Sequence, residues 1–218
     1  MSKKAFITWG GWNGHEPEQT SAIAERLLKE SGFAVERADT LAPLADIEKM
    51  KAFDLIVPVW TMSEIKKEEL DGLLVAVKDH GVGLGGWHGG MGDAFRVQTE
   101  YQFMVGGQWV AHPGNVIDYT VDIVKDDPIT AGLPKSFPMR SEQYYMHTDP
   151  GNEVLATTRF SGEHAPWIAG TVMPMVWKRH YGKGRVFYSA LGHVASDFTS
   201  PTDIAQTLLQ RGLLWAAR

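Results

Sequence analysis

Cysteine is absent from the 218 residues. That excludes disulfides, a thiolate nucleophile and every cysteine-based metal site, and it fits a reducing, cytoplasmic setting. No run of lysine and arginine exceeds two residues, and the formal net charge is −5. A basic footprint for nucleic acid or for an anionic membrane surface is therefore missing. No apolar stretch approaches the roughly 18 residues of a membrane span, and the opening residues run straight towards a strand without the apolar core of a signal peptide. The fingerprint G-x-G-x-x-G does not follow the first strand, where Gly10-Gly11-Trp12-Asn13-Gly14 stands instead, so no nucleotide cofactor is expected. Internal repeats and low-complexity linkers are also missing. Hydrophobic residues at 44% and charged residues at 22% are ordinary for a folded domain, and one domain over 1–218 is expected.

What is abundant is histidine and tryptophan, eight of each. Hydrophobic patterning places them. Residues 4–9 form a strand that ends in the glycine-rich loop carrying Trp12 and His15. A helix follows, with Thr20, Ile23, Ala24, Leu27 and Leu28 at helical spacing. Residues 33–37 are a short strand, 46–51 a short helix and 54–60 a third strand, which Pro58 assigns to a sheet edge or strand end. Leu70, Leu73, Leu74 and Val77 mark a further helix leading to the apolar Val82-Gly83-Leu84. This alternation predicts an α/β fold with a doubly wound, mostly parallel sheet. Beyond about residue 110 the pattern changes. Residues 106–114 are expected as a loop, and residues 117–123 alternate as a half-buried strand. Residues 141–147 are expected as a strand or strand end, and 153–160 as a strand. Residues 174–180 and 185–190 flank a hairpin turn, and 204–215 close the chain as a helix. The C-terminal half should add antiparallel strands.

The stretch Gly86-Trp87-His88-Gly89-Gly90 has the form of a strand-to-helix elbow, with histidine where hydrolases hold a serine or cysteine nucleophile. His15, His88 and His193 each follow a strand among glycines or small residues. In a doubly wound sheet such loops converge on one crevice. Three histidines with Glu142 as a carboxylate could hold a divalent metal, zinc by preference. Alternatively His88, His193 and Glu142 supply acid and base groups for a sugar carbonyl or hydroxyl. No local H-x-x-x-H pair supports the metal. His112 and His147 rank behind these, His80 belongs at a helix C-terminus, and His164 and His180 are expected at the surface. Trp12, Trp87 and Trp109 share the same loops. Each could pack an indole face on a sugar ring, or simply cap the core or an oligomer interface.

Several segments together resemble the ThuA-like (trehalose utilisation) family of the class I glutamine-amidotransferase-like superfamily. They are Gly10-Gly11 with His15, the elbow 86–90, Gly106-Gly107 with His112-Pro113, residues 128–134, Glu142 with Tyr144, and residues 181–187 followed by Ala190-Leu191-Gly192-His193. The resemblance implies a flavodoxin-like fold and a role in carbohydrate catabolism around disaccharides and their keto derivatives. It also implies that His88 takes the place of the amidotransferase cysteine, so glutaminase chemistry is not expected, while His193 resembles the later histidine in position. It adds His112 and Tyr144, with His15, Trp12 and Trp87, as substrate-binding candidates. Two functional expectations follow: a hydrolase or isomerase acting on a disaccharide or keto-sugar, or a non-catalytic sugar-binding or regulatory protein. A small-molecule carbohydrate is the expected partner, and the tryptophan content suits a homo-oligomer.

Overall fold

The computed structural model describes residues 2–198 and 203–218. The chain begins with β1 (Lys4–Gly11), a 3-10 turn at Asn13–His15 and α1 (Pro17–Glu30), and continues through β2 (Ala34–Ala38), α2 (Ile47–Met50), β3 (Leu55–Thr61) and α3 (Lys67–Lys78). β4 (Gly83–Trp87) passes directly into the one-turn α4 (His88–Gly92), followed by α5 (Thr99–Val105). Then come β5 (Gly107–Ala111), β6 (Val116–Ile123), β7 (Ser136–Glu142), β8 (Tyr145–Thr148) and β9 (Glu153–Arg159). β10 (Val172–Tyr181), β11 (Gly184–Ser189) and α6 (Ile204–Ala216) complete it.

Nine strands form one sheet in the order β2-β1-β3-β4-β11-β10-β9-β6-β7. β2, β1, β3, β4 and β11 are parallel to one another. The next four strands pair antiparallel. The fold is thus the expected flavodoxin-like α/β arrangement, with the antiparallel extension in the C-terminal half. The two halves differ because their burial differs. β3, β4 and β11 are buried on both faces and read as continuous apolar or glycine runs, whereas β6 alternates between exposed and buried residues. Helix α6 lies on β4 and β11: Leu213 and Ala216 fill the space that Gly83 and Gly85 leave open, and Phe187 lies against Gly212. Asp203 starts this helix by accepting from the Ala205 amide at 2.8 Å.

Three expectations are corrected. Pro58 is not at an edge: β3 lies between β1 and β4 and Pro58 is buried. It is tolerated because the β3–β4 ladder stops at Ile56, so no bond from β4 is lost at position 58. Residues 106–114 are not all loop, since β5 pairs with β8 in a separate two-stranded sheet. Residues 141–147 are not one strand, because the chain leaves the large sheet after Glu142 and joins the small one at Tyr145. Among the described residues, no helix is long and apolar enough to cross a membrane.

Candidate metal centre

The carboxyl ends of four adjacent parallel strands build one side of a crevice. His15 follows β1, Thr61 ends β3, His88 follows β4 and His193 lies beyond β11. β7 is the last strand in the sheet order, yet the Oε2 of its final residue, Glu142, lies 3.1 Å from His88 Nε2. The antiparallel extension therefore curls back over the parallel half and delivers a carboxylate to the switch region. The same Oε2 lies 3.8 Å from His15 Nε2, and Oε1 lies 3.6 Å from His193 Nε2 and 3.7 Å from His112 Nε2.

The elbow positions His88 in the way the sequence suggests, one residue past the strand, with φ of 44°. Left-handed backbone is costly for a residue with a Cβ. Among the described residues four non-glycine residues adopt it, and three border this site: Glu16 after His15, Met62 after Thr61, and His88 itself. Such strain persists only where surrounding contacts over-determine it, and it concentrates at functional sites. Here the contacts are visible. Tyr188 Oη donates to the His88 carbonyl at 3.1 Å, and the Tyr144 ring stacks on the His88 imidazole at 3.9 Å between centroids. Gly89 must be glycine for a different reason: a Cβ there would lie 2.3 Å from His15 Cε1 and 3.0 Å from Thr61 Cγ2.

The protonation pattern tests whether these residues suit a cation. The Ala190 carbonyl only accepts, so His88 Nδ1, 2.9 Å away, carries the proton. Burial holds this imidazole neutral, its pKa pushed down to about 4 despite the counter-effect of the Glu142 hydrogen bond. A neutral ring with its proton on Nδ1 presents a lone pair at Nε2. Burial would raise the carboxyl group of Glu142, but the imidazoles of His15, His88 and His193 gathered around it outweigh that and hold the group well below the usual carboxylate range. Two electron-pair donors thus face each other at 3.1 Å. His193 Nε2 is buried in the same crevice with no hydrogen-bond partner among the described residues, and burial lowers the pKa of that ring too. A divalent ion could satisfy these donors together. The potential ligand atoms of His15, His88, Glu142 and His193 lie within 4.8 Å of one another. The Glu142 contacts with His15, His88 and His193 are each shorter than the roughly 4.2 Å that two zinc–ligand bonds can span. The residues fit a metal.

Outer contacts aim these rings. His15 Nδ1 lies 2.8 Å from Thr61 Oγ1, which turns Nε2 inwards. Asp197 Oδ2 accepts from the His193 amide at 2.8 Å and from Ser141 Oγ at 3.1 Å, tying the His193 loop to the residue before Glu142. Neither Thr61 nor Asp197 stands out in the sequence. Thr61 shares the strand-end position of His15 and His88, and that position was the available signal.

Gly89→Ala is expected to weaken metal binding about tenfold, within the range seen when a ligand's supports are disturbed. Alanine would ordinarily stabilise a helix by about 1 kcal/mol over glycine. Here the clash wins, because His15 is held by Thr61 and cannot retreat. Competition titration with a chromogenic chelator measures the change; unchanged affinity would refute the packing argument.

Other expected site residues divide. Trp12 is 45% exposed and meets His15 edge-on at 4.8 Å, so its outer face is free for a ligand. His112 is part-exposed at the rim, with Trp109 beside it at 5.5 Å. Trp87 and Tyr144 are buried, and this is a correction to their expected role as lining residues. Trp87 packs on Phe198 and Tyr144 backs His88, so neither offers a ring to a sugar. His147 is exposed on β8, His164 and His180 are exposed as expected, and His80 follows the C-cap of α3, as its reading at a helix C-terminus requires.

The family described as ThuA, trehalose utilisation, matches residues 4–216. The chain belongs to the ThuA family. A ThuA-like protein from Bacteroides uniformis shares the fold with a TM-score of 0.79 at 21% identity, over 98% of this chain and 91% of that one. Another, from Parabacteroides merdae, has a TM-score of 0.77 at 20% identity, covering 99% and 89%. A glutamine amidotransferase from Thermotoga maritima has the same fold more distantly, with a TM-score of 0.56 at 12% identity, over 99% and 96%. No curated protein sequence matches.

Proposed function

We propose that this ThuA-family protein is a metal-dependent enzyme of carbohydrate catabolism, a hydrolase or isomerase acting on a disaccharide or keto-sugar. One observation carries it: the neutral Nε2 of His88 faces the ionised carboxylate of Glu142 at 3.1 Å, an arrangement that a cation between them stabilises. The family's description, trehalose utilisation, supplies the substrate class.

His15, His88, Glu142 and His193 would hold the ion, and zinc suits three imidazoles with one carboxylate and no thiolate. When bound, it supplies Lewis-acid activation of a carbonyl or hydroxyl oxygen. The chain's own groups do the rest. Thr61 and the Ala190 carbonyl hold two imidazoles in the ligating orientation. His112, at the rim and not needed as a ligand, is placed to exchange a proton with a sugar hydroxyl. Trp12 offers an exposed face to the apolar side of a sugar ring. A second reading is a sugar-binding protein without turnover, favoured by a histidine where the elbow would carry a nucleophile.

Protein purified without a histidine tag should contain about one equivalent of divalent metal, zinc foremost, as a mononuclear site demands. A chelator should remove it and lower the melting temperature, because an ion at 100 times its Kd adds about 2.7 kcal/mol to the folded state. Metal-free protein that gains nothing from added zinc would overturn the assignment. Zinc-loaded protein that binds keto-disaccharides without converting them would establish the second reading.

A further inference from the structure

The Glu142 carboxylate divides its neighbours between its two oxygens. Oε2 faces His88 Nε2 at 3.1 Å and His15 Nε2 at 3.8 Å, whereas Oε1 faces His193 Nε2 at 3.6 Å and His112 Nε2 at 3.7 Å. His15, His88, Glu142 and His193 form one compact set of ligand atoms, and a tetrahedral ion is complete with four donors. His112 and its side of the carboxylate are left over. A separation of 3.7 Å is too long for a hydrogen bond. Two zinc–ligand bonds of about 2.1 Å meeting at a tetrahedral angle put their donor atoms about 3.4 Å apart, with about 4.2 Å as the limit. His112 and Oε1 are therefore spaced as two ligands of one ion. Nor does hydrogen bonding at the far nitrogen aim the ring: Nδ1 is buried with no partner among the described residues. Packing aims it instead, through Trp109 at 5.5 Å and Tyr144 stacked at 6.3 Å. Trp109 is in turn covered by the Arg96 guanidinium at 4.6 Å, which buried Asp93 grips through Nε at 2.6 Å and Nη2 at 2.8 Å.

We propose that the crevice takes up a second divalent ion, held more weakly than the first, between His112 Nε2 and Glu142 Oε1, so that Glu142 bridges the two. The inference rests on the metal-dependent reading above and adds a second position to the same centre. Paired ions in proteins stand about 3.5–4 Å apart, a spacing suited to one carboxylate with imidazoles at both oxygens. Charge sets the order of affinity. The first ion meets an ionised carboxylate among three imidazoles. The second meets a carboxylate whose charge the first has already outweighed, so like charges oppose it across a short distance. It also finds fewer protein donors, and one of them is shared. The His112 side chain is 28% exposed, which leaves water to fill the remaining coordination positions. The two states differ in what His112 can do. With one ion bound its lone pair remains available for a proton; with two it is committed to metal, and excess zinc withdraws the rim group from proton exchange.

Equilibrium dialysis and calorimetry against zinc alone test this in the full chain. The parent protein should take up two equivalents, the second at least about tenfold more weakly than the first. His112→Ala should keep the first equivalent and lose the second, while an unchanged melting temperature of the metal-free variant shows that the fold is intact. His147→Ala, at an exposed position on β8, should keep both. A single equivalent in the parent protein would overturn the second ion and leave the metal-dependent function standing. A second equivalent that survives in His112→Ala would belong to surface histidines and would overturn it as well. No zinc uptake at all would refute the metal-dependent function, and the second ion with it.

Discussion

Glu142→Gln is expected to cost much stability in the metal-bound protein and little in the metal-free one. With metal present, the substitution removes the single anionic donor from a set whose other members are neutral imidazoles. Metal affinity should fall by at least about 100-fold, beyond the 10–100-fold typical when only an outer partner of a ligand is lost. Turnover should fall with it. Without metal the loss is smaller. In the parent protein a buried carboxylate faces the lone pair of His88 Nε2 at 3.1 Å, and His193 Nε2 has no partner. A glutamine amide is the same shape, carries no charge and can donate an N–H to one of these nitrogens. Leaving a buried polar group unpaired costs about 1–3 kcal/mol. The metal-free variant should therefore melt close to the metal-free parent, and well below the parent once both are zinc-loaded. Differential scanning calorimetry with and without chelator reads both comparisons. If the variant were destabilised equally in both states, Glu142 would be a structural hydrogen-bonding group and the metal reading would fail.

The second large effect lies beneath the site. Trp177 on β10 is fully buried, stacks near Tyr188 at 4.4 Å and donates from Nε1 to the Val105 carbonyl at 2.9 Å. It also covers Gly107 at the start of β5. One side chain therefore joins the large sheet, the end of α5 and the small sheet. Trp177→Ala should cost about 3–5 kcal/mol from lost burial and the cavity left behind. At about 2–4 °C per kcal/mol for a chain of this length, the melting temperature should drop by at least about 6 °C. Metal affinity should fall by less than in Glu142→Gln, since Trp177 reaches His88 only through Tyr188, whose hydroxyl holds the His88 carbonyl. Trp177→Phe, which keeps most of the volume, should recover more than half of the lost stability. If the alanine variant melted with the parent, the small sheet would owe nothing to this residue.

The parallel half and its histidine loops could be read from the chain because their signals are local. Strands buried on both faces are uninterrupted apolar or glycine runs, as in Leu55–Thr61, and amphipathic helices between them carry their own period. Given that alternation, the crevice at the strand ends follows from the topology, which is why His15, His88 and His193 could be grouped although 178 positions separate the first from the last. Other features depend on residues remote in sequence. The pairing of β5 with β8 joins Gly107 to Thr148, and neither short strand alternates clearly. Pro58 violates a local rule in a strand whose neighbour ends its ladder before reaching it. The burial of Trp87 and Tyr144 follows from Phe198 and His88 closing over them.

The sequence by itself determined the elements of the doubly wound half, the elbow that presents His88, and the exclusion of cysteine chemistry. The tertiary structure alone decided that Glu142 completes the site, because its arrival depends on the curl of a sheet whose last strand lies five places from β4 in the strand order. It also decided the protonation of His88. That depends on the Ala190 carbonyl, 102 residues away, and on exclusion of water, neither of which is encoded around position 88. Spacing brings residue types within reach of one another; only packing fixes which nitrogen holds the proton and which lone pair is left facing a carboxylate.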